Sequence, residues 1–426
     1  MTDITSLSKE QLIQYKSELE KKYKEYVDLN LKLDMSRGKP APAQLDLSNG
    51  LLNKLDNYNT ESGVDVRNYG ILDGIPEAKK LFADVLDLDE NNIIIGGNAS
   101  LNLMYDTLAR IFLFGTQGNT PWSKLDKIKF LCPCPGYDRH FSILNAFNIE
   151  MINININEDG PDIETIKELV AKDETIKGIF CVPLYSNPEG VCYSDEIVRE
   201  LAQMKTAAKD FRIFWDNAYG IHHLYGDHKV HKLLNIFKEA EKVGNEDRIY
   251  YFFSTSKITF AGAGVSLLSA SKNNIEEIKK HMGVQTIGYD KINQLHMVRY
   301  FKDAKGVEEH MKKIAEILRP KFDLVLEILE KELGGTGLLK WKKPDGGYFV
   351  TVDTLEGCAK KTVELGKNAG VVITGAGATF PYGKDPLDTN IRLAPSYPTL
   401  EELKTAIELF TVCVKLAGVS KLLGEY

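Results

Sequence analysis

Between about residues 76 and 270 the sequence alternates. Short runs rich in Ile, Val and Phe are each followed by a longer segment of helical periodicity. The runs at 92–97, 128–132, 150–156, 178–183, 212–216, 249–254 and 265–269 read as strands. The segments at 76–86, 101–114, 138–147, 163–172, 195–209 and 229–243 read as helices. Short strands without polar alternation are buried on both faces, so amphipathic helices must cover them on both sides. The expected class is α/β, a mostly parallel seven-stranded sheet flanked by helices.

Both ends of the chain break this pattern. Residues 8–30 have the spacing of one polar helix, and an extended, turn-rich stretch follows to about residue 74, carrying SRGKPAP (36–42) and NYGILDG (68–74). Beyond 272 the chain turns helical, with a long stretch at 305–334. Strand-like runs follow at 347–353, 371–374 and 390–394, then a closing helix at 399–418. This reads as a smaller α+β domain built from both chain ends, which tend to pack together at the surface. The expected division is 1–75, an N-terminal segment joining the small domain; 76–303, the large domain; and 304–426, the C-terminal small domain.

Charge and cysteine usage exclude several partners. The 53 basic against 60 acidic residues give a net charge of -7, so nothing attracts the whole chain to a phosphate backbone, and nucleic acid is not an expected partner. No apolar run is long enough to span a bilayer, so no membrane partner is expected. The charged N-terminus lacks a signal-peptide core and is too rich in Glu for a transit peptide. Six cysteines are scattered, and the pair Cys132 and Cys134 has no second pair at zinc-site spacing. Reduced thiols, a cytoplasmic location and no metal are expected.

In open α/β sheets, ligands bind beyond the carboxyl ends of the strands. Five predicted strands end in chemically useful segments: GGNAS (96–100), CPGYDRH (134–140), YSNPEG (185–190), DNAY (216–219) and STSK (254–257). Singly these are ordinary, since a strand-end Asp is commonly a helix cap and a Lys after a strand is commonly solvated. Together they place a lysine, a carboxylate, an amide, aromatic rings and an anion-binding helix N-terminus along one edge.

With these motifs in place, the sequence resembles fold-type I pyridoxal-phosphate aminotransferases of the aspartate aminotransferase superfamily. The likeness runs from SRGKP to the C-terminal helix. SRGKPAP, GGNAS, STSKITFAGAGVS and NIRLAPSYP are most similar to a divergent bacterial-type subgroup. The resemblance implies the cofactor pyridoxal 5'-phosphate, with Lys257 as Schiff-base lysine and proton shuttle in a ping-pong reaction. It implies Asp216 against the pyridine nitrogen, where a fixed carboxylate favours the protonated ring. Tyr219 and Asn187 would donate to the phenolic oxygen, Tyr137 would stack on the ring, and His140 would orient Asp216. Asn98, Ala99, Ser100 and Ser254 would hold the phosphate. Tyr69 would reach the phosphate of a neighbouring subunit, which implies a homodimer with shared sites and residues 1–75 serving partly as a dimer arm.

On the substrate side, Arg392 resembles the arginine that clamps the α-carboxylate in bidentate fashion. Gly38 resembles the glycine whose N–H meets the same group, and its neighbour Arg37 is, by proximity, a candidate for the substrate's side-chain carboxylate. PDGGYF (344–349) resembles a structural turn. Two departures stand out. Glu189 replaces the usual Thr after Asn187, and is read as a change of turn residue. Gly264 and Val265 stand where many relatives carry a phosphate-binding arginine, leaving Ser256 or Thr259 as substitutes. The expected substrates are L-aspartate and 2-oxoglutarate. Aromatic or aminoadipate-type amino acids, or lyase chemistry on the same scaffold, are the alternatives.

Overall fold

The computed structural model describes residues 3–53, 55–226 and 231–426. Among these, the strands in chain order are β1 (Leu33–Met35), β2 (Ile93–Ile95), β3 (Lys129–Cys134), β4 (Glu150–Asn157), β5 (Gly160–Pro161), β6 (Ile176–Cys181) and β7 (Arg212–Asp216). They continue with β8 (Ile249–Ser254), β9 (Ser266–Ala270), β10 (Leu339–Trp341), β11 (Val350–Thr354), β12 (Val371–Ile373) and β13 (Asn390–Leu393).

The main sheet runs β2-β9-β8-β7-β6-β3-β4-β5. Its seven longer strands are those of the alternation, and a two-residue eighth, β5, folds back antiparallel on β4. Neighbouring strands from β8 through β7, β6 and β3 to β4 are parallel. β9 is antiparallel to both β8 and β2, so β2 points the same way as the parallel set. The carboxyl ends of β2, β3, β6, β7 and β8 therefore share one edge.

Every residue of β7 and β8 is buried. Successive side chains point to opposite faces, so Phe214 and Phe252 stack in one core with Phe130, while Trp215, Tyr251 and Phe253 enter the other. Cys132 and Cys134 lie on one face of β3 and are buried among apolar side chains.

Helices Pro76–Leu86 and Ile163–Lys172 match their predicted limits. The segment predicted helical over 195–209 stops at Gln203: Met204 leaves the helical backbone, and the Ala207 N–H goes to the Val170 carbonyl instead. Of the segment predicted at 229–243, only Ile236–Glu241 is an α-helix, started by the Asn235 side chain accepting from the Lys238 N–H. Residues 229 and 230 lie outside the described residues.

The two chain ends meet. β1 pairs in parallel with β12, and β10, β11 and β13 form an antiparallel sheet. Helix Lys9–Asp28, opened by a Ser8–Gln11 capping box, packs on the closing helix Leu400–Leu422, opened by Thr399 and Glu402. The latter also packs on helices Ala304–Leu333 and Ala359–Asn368. Sequence reasoning missed β1 and β10, three-residue strands too short to show periodicity. Among the described residues, no helix is long and apolar enough to cross a membrane.

Candidate active site

At the shared sheet edge, Asp216 closes β7, and Lys257 sits in the turn after β8. Asp216 is buried, and its Oδ2 lies 2.9 Å from Nε2 of the equally buried His140. The His140 ring stacks on Phe180 at 4.3 Å, which fixes the imidazole plane. The other carboxylate oxygen, Asp216 Oδ1, is buried and has no hydrogen-bond partner among the described residues. Leaving a buried acceptor bare costs about 1–3 kcal/mol, so such an atom points to a donor brought by a ligand.

Lys257 Nζ lies 5.1 Å from the centroid of the Tyr219 ring and 6.0 Å from that of Tyr348. Burial pushes its pKa below the ordinary lysine value; the nearby Arg392 acts in the same direction and Asp216 against it. The amine therefore loses its proton more readily than a surface lysine does. Tyr137, half-buried, meets His140 edge-to-face at 5.0 Å. Burial first, then the carboxylate of Asp216, pushes its phenol up to about 12. Burial likewise holds the Tyr219 phenol well above its usual value, so both remain donors at neutral pH. Burial pushes His222 down to about 3, leaving a neutral ring against Tyr219 and Tyr348.

The anion-binding side lies at the N-terminus of helix Ser100–Phe114, where Asn98 and Ala99 precede the first turn. Ser254 Oγ donates to Ser256 Oγ at 3.0 Å, and Ser256 Oγ to the Asn98 carbonyl at 3.1 Å, which ties the lysine turn to this helix. Gly264 holds no room for a longer side chain: a Cβ there would lie 2.6 Å from Thr255 Oγ1. Val265 is buried. Of the suggested substitutes for the missing arginine, Ser256 stands at the helix N-terminus. Thr259 does not, because its hydroxyl donates to Thr255 and faces Met297 in the core. A cavity of about 460 Å³, lined by Gly96, Asn98, Gly264, Tyr289 and His296 among others, opens beside this end.

Arg392, on β13, is buried and crosses over from the small sheet. Its Nη1 donates to Asn187 Oδ1 and to Asp138 Oδ1, each at 3.1 Å, and its Nε to Thr374 Oγ1 at 3.3 Å. The guanidinium lies 4.8 Å from the centroid of the Phe349 ring. Gly38 abuts the same ring, and a Cβ there would lie 2.6 Å from Phe349 Cζ. Arg37 is exposed and meets none of these groups. Tyr69 is 82% exposed and stands apart from the site within its own chain.

Asp138, Thr374, Gln44, Tyr348, Phe349 and Glu189 were not among the candidates as site groups. The GGYF turn does more than open a strand. Tyr348 OH donates to the Lys257 carbonyl at 3.2 Å and accepts from Gln44 Nε2 at 2.6 Å, linking the N-terminal segment to the lysine turn. Its two glycines are required, since a Cβ on Gly346 would lie 2.4 Å from the His222 carbonyl and Gly347 has a φ of +84°. Glu189 is more than a turn residue: its buried carboxyl accepts from Thr351 Oγ1 at 2.8 Å, joining the Asn187 loop to β11. A polar residue next to a motif was the available signal for Asp138 and Tyr348. Gln44 had none.

The donor set fits a flat, phosphorylated heteroaromatic group. It offers a bare carboxylate oxygen at its floor, an aromatic ring, a buried amine and an anion-binding helix end. A family model described as aspartate amino-transferase matches residues 7–426. The chain is 48% identical over 425 residues to a Mycolicibacterium smegmatis protein provisionally named an aminotransferase, covering 99% of each. It is 44% identical over 408 residues to an aspartate aminotransferase of Corynebacterium glutamicum, covering 95% of this chain and 94% of that one. The crystal structure of an aspartate transaminase from Corynebacterium glutamicum superposes with a TM-score of 0.96, at 42% identity and 99% coverage of both chains.

Proposed function

The chain belongs to the aspartate aminotransferase family of fold-type I pyridoxal-phosphate enzymes, and from that premise we propose that it transfers the amino group of L-aspartate to 2-oxoglutarate with pyridoxal 5'-phosphate as cofactor. The observation that carries this reading is the meeting of Lys257, Arg392 and the half-satisfied Asp216 at one sheet edge. When bound, the cofactor supplies an electrophilic carbon for amine exchange and a ring that spreads the negative charge left by loss of the α-proton.

The protein's own groups divide the remaining work. Asp216 Oδ1 would accept from the ring nitrogen, while His140 holds the other oxygen and so fixes the carboxylate plane. Tyr137 would cover one ring face, and Tyr219 and Asn187 would donate to the phenolic oxygen. The N–H groups of Asn98, Ala99 and Ser100, with the Asn98 amide and the hydroxyls of Ser100, Ser254 and Ser256, would hold the phosphate. Arg392 takes the α-carboxylate with the Gly38 N–H, which aims the α-proton at Lys257. The Lys257 amine would be the group that takes up and gives back that proton.

Aspartate should convert the absorption band of the bound cofactor to that of its amino form, with oxaloacetate released in equal amount, and 2-oxoglutarate should restore the band. Conversion by aromatic amino acids but not aspartate would reassign the substrate. Release of product without restoration by any oxo acid would point to lyase chemistry.

We also propose a homodimer with shared sites. Gly288 lies against the Gly70 carbonyl and Gly283 against Leu72. The exposed Tyr69, Val284 and Ile287 therefore fall on neighbouring segments, close in sequence to Tyr289 and Ile292 of the 460 Å³ cavity. An apolar patch of this kind is the usual mark of an interface. Light scattering should give about twice the chain's 47.8 kDa, and Tyr69→Phe should weaken cofactor retention. A monomer that retains full activity would overturn the shared-site reading.

A further inference from the structure

We propose that Asp138 is the resting counter-ion of Arg392 and thereby sets how tightly the site holds the carboxylates of its substrates. The inference rests on Arg392 being the α-carboxylate receptor. It begins with an asymmetry around the guanidinium. Nη1 is shared by Asp138 Oδ1 and Asn187 Oδ1, and Nε is taken by Thr374. Among the described residues Nη2 has no hydrogen-bond partner in the protein. A carboxylate bound in bidentate fashion needs two of these N–H groups in one plane. One of them is already engaged by a carboxylate of the protein.

The position of Asp138 suits such a role. It is the first residue of helix Asp138–Ala146, where the helix dipole favours negative charge. Its side chain is 34% exposed, against 7% for Arg392, so it stands at the open side of a buried cation. A buried guanidinium without a counter-ion is costly. Asp138 supplies that counter-ion when no substrate is present. When a substrate carboxylate arrives, Asp138 becomes a like charge beside it and weakens its hold. In a two-stage amino transfer the donor, the acceptor and both products leave and enter through the same arginine. One carboxylate at this point therefore loosens all four together, favouring release.

The test uses holoenzyme and succinate, a dicarboxylate with no amine to transfer, with binding measured by calorimetry. Asp138→Asn keeps an oxygen that accepts from Nη1 and removes only the charge. Succinate should bind about five- to tenfold more tightly to this variant, the range expected for a partly screened like charge at close approach, and the KM values for amino acid and oxo acid should fall together. Unchanged or weaker binding would mean that Asp138 merely orients Arg392, and the proposal would be wrong. Asp138→Ser, which removes the charge with a smaller side chain, must show a gain of the same sign if the asparagine variant folds poorly. Arg392→Gln separates the two layers. If it leaves succinate affinity unchanged, the receptor assignment itself fails. If it abolishes binding while the Asp138 variants gain nothing, only the counter-ion proposal fails.

Discussion

Replacing Lys257 by Ala should lower turnover with aspartate by about 10⁴-fold or more, because in the proposed mechanism one side chain serves both as the nucleophile and as the base that moves the α-proton. Lys257→Arg should fail to the same degree. The guanidinium keeps the positive charge but does not give up a proton near neutral pH. The pair of variants thus separates loss of chemistry from loss of charge. Circular dichroism should show both folded, since no hydrogen bond of the Lys257 amine ties it to another element among the described residues. In the native chain, burial lowers the Lys257 pKa. The amine therefore becomes reactive at a lower pH than a free lysine, and the rising limb of cofactor-capture rate against pH should lie below the ordinary 10.5. Near-normal turnover by Lys257→Ala would remove the mechanism proposed above.

Asp216→Asn should reduce kcat/KM for aspartate on the order of 10²–10³-fold, the range seen when one preorganised electrostatic group is removed from a low-dielectric site. The amide has the same shape, and its oxygen still accepts from His140 Nε2, so the buried contact at 2.9 Å survives. What is lost is the negative charge that, in the proposed mechanism, would hold a proton on the cofactor nitrogen. Cofactor affinity should fall as well, since the partnerless Oδ1 is the atom expected to receive that nitrogen. Thermal unfolding of the cofactor-free protein should change far less than turnover. A variant that loses stability but keeps kcat/KM would show Asp216 to be a structural partner of His140 and no more.

The fold was legible because its signals are local and repeated. β7 and β8 carry the apolar runs 213–215 and 249–253, and burial on both faces requires such runs of a central strand. Helix limits were legible where a cap or a proline marks them, as at Pro76. They were not where the helix yields to a tertiary contact, as at Met204. The site was legible to the extent that it hangs on strand ends. Lys257, Asp216, Asn187 and Tyr137 each follow a strand of the parallel set, and topology alone brings them to one edge.

The sequence by itself determined the class of fold, the edge that carries the ligand and the motif residues on it, because strand direction and chain order are properties of the chain. Tertiary structure decided the rest. Asp138 and Arg392 are 254 residues apart, and their contact depends on how β13 meets helix Asp138–Ala146. The bond from Gln44 through Tyr348 to the Lys257 carbonyl joins three segments that share no pattern. Glu189 is a turn residue in the sequence and a buried bridge to β11 in the fold. A side-chain hydrogen bond between distant segments depends on positions set to within a few tenths of an ångström by packing, and no periodicity along the chain encodes that.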